Sequence, residues 1–97
     1  MRRGTTSTGF RYEYDETCLD DMRFVDVLTV VLDPEAPQFE KISGVSALIG
    51  MLLGRELKTA LYAHIGQRFD GRVPRAELEK ALEEIMQGSG AESELKN

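Results

Sequence analysis

The segment ISGVSALIGMLLG, residues 42–54, holds thirteen residues and no charge, in a chain that is 30% charged. Such a run crosses a membrane, fills a core or meets a partner. A bilayer span needs roughly 20 apolar residues. This run is shorter and carries three glycines and two serines, so a membrane is not the expected partner. On a helical projection Phe39, Ile42, Val45, Ile49, Leu52 and Leu53 fall on one side, with Leu48 at the margin, and Ser43, Gly44, Ala47 and Gly50 fall opposite. The segment reads as a two-faced helix, bulky on one side and nearly bare on the other, ended by Gly54. Glycine weakens a helix, so three in this stretch imply a use for the space they leave. Small residues about four apart let a second backbone come close. Ser43, Gly44, Ala47, Gly50 and the adjoining Met51 are therefore the candidate partner-binding residues; tight packing within the chain is the competing reading.

The rest of the chain supports a mainly α fold: a small four-helix domain with a short N-terminal β strand or arm. Residues 1–9, MRRGTTSTG, are small and polar and read as a flexible arm. Phe10, Tyr12 and Tyr14 then alternate with Arg11 and Glu13, a period of two that predicts a strand. One strand cannot stand alone; it pairs with another chain, with an unrecognised segment, or lies on the helices. In LDDMRFVDVLTVVL, Phe24, Val25, Val27, Leu28, Val31 and Leu32 share one helical arc, and strict alternation fails at Val30–Leu32. That predicts a first helix with Asp20 as N-cap, ended by Asp33 and Pro34. After the linker DPEAPQ and the uncharged helix, RELKTALYAHIGQRF gives a third helix on Leu57, Ala60, Leu61, His64 and Ile65. RAELEKALEEIM gives a fourth on Ala76, Leu78, Ala81, Leu82 and Ile85, with Glu77 near Lys80. The folded unit is expected over residues 10–87, and 88–97 as a flexible polar tail.

Ninety-seven residues make one domain. The net charge is −5 and the sequence pI about 4.8, and the twelve basic residues form no cluster beyond Arg2, Arg3 and Arg11. Duplex nucleic acid is therefore not an expected partner. Cys18 is the single cysteine and no signal peptide follows Arg2 and Arg3, which together lead to an expected cytoplasmic location.

The chemistry-bearing residues are few. His64 is the only histidine, on the apolar stripe of the third helix, where a packed imidazole is the simpler reading; nothing ties it to Cys18. Zinc has too few ligands. GMLLGRELKT lacks the lysine and hydroxyl that a phosphate loop requires. DGRVPRAEL resembles the second half of a calcium loop, but Gly66 and Arg68 fall where the first carboxylates belong. Asp15, Glu16, Asp20 and Asp21 precede a helix and suit its N-terminus; an acidic patch for a basic partner is the alternative. No catalytic residue, metal or cofactor is expected.

The order FRYEYDETCLDDMRFVDVLTVV, a proline-bearing link, LIGMLLGRELKTALYAHI, DGRVPRAELEKALEEIM and a tail ending LKN resembles the tail assembly chaperones of long-tailed bacteriophages, over roughly residues 10–97. The nearest echoes are LDDMRFVDVL, LLG before a polar helix, and DGRV before the last helix. The resemblance implies a noncatalytic protein of the host cytoplasm. It would bind and solubilise the tape-measure protein before the tail tube polymerises, then leave. Many such proteins exist in a short and a frameshifted long form, and this chain matches the short one. Its brief N-terminus departs from relatives that carry more strand-forming sequence, and the family supplies no catalytic residue. A small self-associating adaptor or regulatory module is the alternative from the residues themselves, and an enzyme subunit stands third.

Overall fold

The computed structural model describes residues 1–96, with side chains through Gln87. The aromatic strand finds its partner at the N-terminus: β1 (Arg2–Thr5) runs antiparallel to β2 (Arg11–Tyr14), with Arg2 opposite Tyr14 and Thr5 opposite Arg11. The segment expected as a flexible arm over 1–9 is thus half of a hairpin, and the folded unit begins near Arg2 instead of residue 10. Arg, Gly and Thr without an aromatic give β1 little propensity of its own. Pairing with a strand that already buries Tyr12 and Tyr14 supplies what propensity lacks. The Thr6 amide donates to the Phe10 carbonyl at 2.8 Å and the Gly9 amide to the Thr6 carbonyl at 2.9 Å. Gly9, at φ +96°, is the left-handed residue that a bulged three-residue loop requires.

A 3-10 turn (Glu16–Asp20) leads into α1 (Met22–Leu32). Asp21, not Asp20, caps α1: its carboxylate accepts from the Arg23 amide at 2.9 Å, and Asp33 closes the helix as expected. α2 covers Gln38–Arg68 and α3 Arg75–Lys96. The described residues are mainly helical; α2 takes in the second and third of the expected helices, which meet at Gly54, the residue expected to end the second. Gly54 interrupts α2 at φ 82°, ψ 169°, backbone angles open essentially to glycine alone. The interruption folds α2 back on itself. In a straight helix Ser46 and Lys58 would stand about 18 Å apart, yet the Lys58 ammonium donates to the Ser46 carbonyl at 3.0 Å and to its hydroxyl at 2.9 Å. The flexible tail expected at 88–97 falls on the end of α3, whose backbone continues to Lys96; Gly88 and Gly90 lower helix propensity without ending the helix. Asn97 lies outside the described residues.

One core joins these parts. The inner face of the hairpin gives Phe10, Tyr12 and Tyr14, and α1 gives Phe24. From α2 come Val45, Leu48, Ile49, Leu52, Leu53, Leu61 and Ile65, and from α3 Leu78, Ala81, Leu82 and Ile85. Leu48, placed by periodicity at the margin, is fully buried, while Phe39, assigned to the bulky face, is 78% exposed. Phe39 is the second residue of α2, where no other element packs over it. None of the described helices is long and apolar enough to cross a membrane.

Candidate functional site

The five residues singled out on the uncharged helix do not form one surface. Ser43, Ala47 and Met51 are exposed along a single line of α2. Gly44 is buried against α1: a Cβ built on it would stand 2.7 Å from Val31 Cγ2 and 3.4 Å from Val27 Cγ1. Gly50 faces the returning half of α2, where its nearest neighbour is the Lys58 side chain at 3.6 Å from such a Cβ. Tyr62 completes that cluster, its hydroxyl 3.3 Å from Ser46 Oγ and its ring beneath the Lys58 ammonium at 5.7 Å. The bare face therefore serves two intramolecular approaches and leaves only the Ser43–Ala47–Met51 line to solvent.

A different surface has the shape of a docking site. α1, the start of α2 and α3 enclose a groove of about 550 Å³. Val45 and Leu82, both buried, form its floor; Leu28, Val31 and Met86 are half-buried in its walls. Leu32 stands at the edge, 70% exposed. An isobutyl group so open to water is unfavourable on its own, and methionine adapts to partners of varied shape. The rim is charged on both sides, with Glu79 and Glu83 on α3 and Lys41 on α2. A groove of this kind accepts the apolar face of an amphipathic helix.

Cys18 is a half-buried free thiol in the turn before α1, and His64 has the packed surroundings expected of it. Burial, followed by the Asp15 carboxylate, pushes the Cys18 thiol up, away from the thiolate that nucleophilic chemistry needs. His64 Nε2 lies 3.0 Å from Thr8 Oγ1, and its ring is 5.7 Å from that of Phe10. The imidazole thus holds the hairpin loop on α2. On the other side of that loop Glu84 of α3 accepts from the Ser7 amide at 2.7 Å and the Ser7 hydroxyl at 2.8 Å. Three of the four acidic residues before α1 have partners within the chain. Asp15 accepts from the Thr17 amide, Glu16 pairs with Arg2, and Asp21 caps the helix. Among the described residues no three His, Cys, Asp or Glu side chains gather to hold a metal ion.

The groove itself, and Met86 in its wall, were not legible in the sequence. Periodicity shows that Leu28, Val31, Leu32 and Leu82 lie toward an apolar side, but not that a gap remains between their helices. No family model, curated protein or solved structure matches the chain.

Proposed function

We propose that this chain is a noncatalytic assembly chaperone of the phage-tail type. It binds an amphipathic, helical segment of the tape-measure protein in the bacterial cytoplasm. The observation that carries the reading is the apolar groove between α1, α2 and α3, with Leu32 open to water at its edge; the motif order described above supports it. A long helical protein with an apolar stripe aggregates unless the stripe is covered. An acidic domain that takes the stripe into a groove keeps the pair dispersed by its charge. Covering about 400 Å² of apolar surface contributes on the order of 10 kcal/mol at ~25 cal/mol/Å². Association costs reduce that to a reversible affinity, and a chaperone that must leave needs reversibility.

Co-expression with tape-measure fragments tests the proposal. The wild-type chain is expected to keep a fragment in the supernatant. Leu32→Asp and Met86→Asp are expected to lose that effect while retaining the helical circular dichroism of the parent. Ala47→Arg, on the remaining exposed line of the uncharged helix, is expected to leave it intact. Solubilisation that survives both groove substitutions but fails with Ala47→Arg moves the contact to the Ser43–Ala47–Met51 line. Solubilisation of no fragment by the wild-type chain rejects the function.

A further inference from the structure

The N-terminal hairpin leaves one edge whose chemistry matches itself. Hydrogen-bonded and non-hydrogen-bonded pairs alternate along an antiparallel ladder. The Thr6–Phe10 bond at 2.8 Å sets the phase, so Gly4 faces Tyr12 and Arg2 faces Tyr14 through their backbone groups. The non-bonded pairs are Thr5 with Arg11 and Arg3 with Glu13. The amides and carbonyls of Arg11 and Glu13 consequently point away from β1, along the outer edge of β2. Their side chains are exposed on the face opposite the buried Tyr12 and Tyr14.

We infer that this edge pairs with the same edge of a second copy of the chain, antiparallel about Tyr12. Arg11 then lies opposite Glu13 of the second copy, and Glu13 opposite Arg11. The register satisfies three conditions together. The residues brought opposite are those with outward backbone groups, so each pair exchanges both N–H···O bonds. The side chains meeting on the outer face carry opposite charge, and cross-strand pairs of opposite charge are favourable. The aromatic inner face continues across the dyad, with Tyr12 beside its own copy and Tyr14 beside Phe10. Because Arg3 already pairs with Glu13 at 3.3 Å, each Glu13 comes to lie between two arginines. β1 offers no such match, since pairing it about Gly4 sets Arg3 against Thr5. A two-stranded hairpin is marginal alone, and an unpaired edge is a template for another strand. The pairing closes a four-stranded sheet by two-fold symmetry and forms no open filament. It stands independently of the chaperone reading.

Sedimentation of the full chain over a concentration series tests the inference. The wild-type chain is expected to move from the single-chain mass to twice that mass. Glu13→Arg and Arg11→Glu set like charges opposite each other at both symmetric pairs, and each is expected to weaken the dimer about tenfold or more. Mixed in equal amounts, the two variants complement each other and dimerise again. Amide exchange of the unaltered chain gives a reading that needs no variant: Arg11 and Glu13 gain protection as concentration rises. A wild-type chain that stays monomeric at every concentration overturns the inference. So does a dimer that neither reversal weakens, one whose Arg11 and Glu13 amides exchange freely, or growth beyond two chains.

Discussion

Gly44 of α2 lies so close to Val31 of α1 that a Cβ on it would stand 2.7 Å from Val31 Cγ2. The crossing of these helices depends on the missing side chain. In an exposed helix interior, exchanging glycine for alanine stabilises by about 1 kcal/mol. At position 44 the added methyl forces the helices apart or Val31 into another rotamer, at about 1–3 kcal/mol. Gly44→Ala is therefore expected to lower the midpoint of chemical denaturation. The double variant Gly44→Ala/Val31→Ala recovers part of the loss through relief of the clash. An unchanged or raised midpoint in the single variant contradicts this packing.

Gly50, one of the same three glycines, is expected to respond with the opposite sign. Its nearest neighbours are Lys58 Cδ and Nζ, each 3.6 Å from a built Cβ, which is ordinary contact with the end of a flexible side chain. Gly50→Ala gains helix propensity without a clash and is expected to stabilise by about 0.4–1 kcal/mol. Thermal denaturation of Gly44→Ala and Gly50→Ala side by side measures the contrast. Equal effects at both positions would show that propensity, not local packing, governs this helix.

Those two glycines also mark how far the sequence could be read. The period of α2 is plain in Val45, Ile49, Leu52 and Leu53, and all four are buried. The stop at Gly54 was also legible, as a loss of helical geometry there. Not legible was what each bare position faces, because that depends on α1 crossing at Gly44 and on the chain folding back so that Lys58 meets Ser46. Strand β1 was hidden for a related reason. Apart from Thr5 its residues have little strand propensity, and its place is set by Tyr12 and Tyr14 and by the loop contacts to His64 and Glu84. The groove is the extreme case, being a space between helices that no single helix encodes.

Glu84 makes the docking of the hairpin loop pH-dependent. The Ser7 amide holds its carboxyl below the ordinary value of 4.5, against some burial, with further help from the Ser7 hydroxyl and Lys80. A folded-state value below the unfolded one gives stability that is fully present above pH ~4.5 and is lost as pH falls through the folded value. The contact is partly solvent-exposed, so Glu84→Gln is expected to cost only about 0.5–1 kcal/mol at neutral pH. The difference in Tm between the parent and Glu84→Gln should narrow as pH drops below about 4.5. A difference constant from neutral to acid pH would detach Glu84 from the loop.

Asp21 sets the start of α1 and offers a direct reading of whether that cap persists in solution. Its carboxylate accepts from the Arg23 guanidinium at 2.8 Å and 3.2 Å and from the Arg23 amide at 2.9 Å. These side-chain bonds first, and then the amide, lower its carboxyl from the ordinary 3.8 to about 2. The cap's contribution is therefore complete above the unfolded value near 3.8 and disappears as pH falls through about 2. Followed by NMR, the Arg23 amide is expected to titrate with its midpoint near 2. Asp21→Asn retains a side-chain oxygen suited to the N-cap, so it should abolish the titration while leaving α1 formed. Asp21→Ala removes the acceptor and should fray the first turn, with faster amide exchange at Arg23. An Arg23 midpoint near the ordinary aspartate value would mean that the guanidinium bonds, the first cause of the lowering, do not persist in solution, and exchange at Arg23 in the parent as fast as in Asp21→Ala would mean that the cap itself is lost.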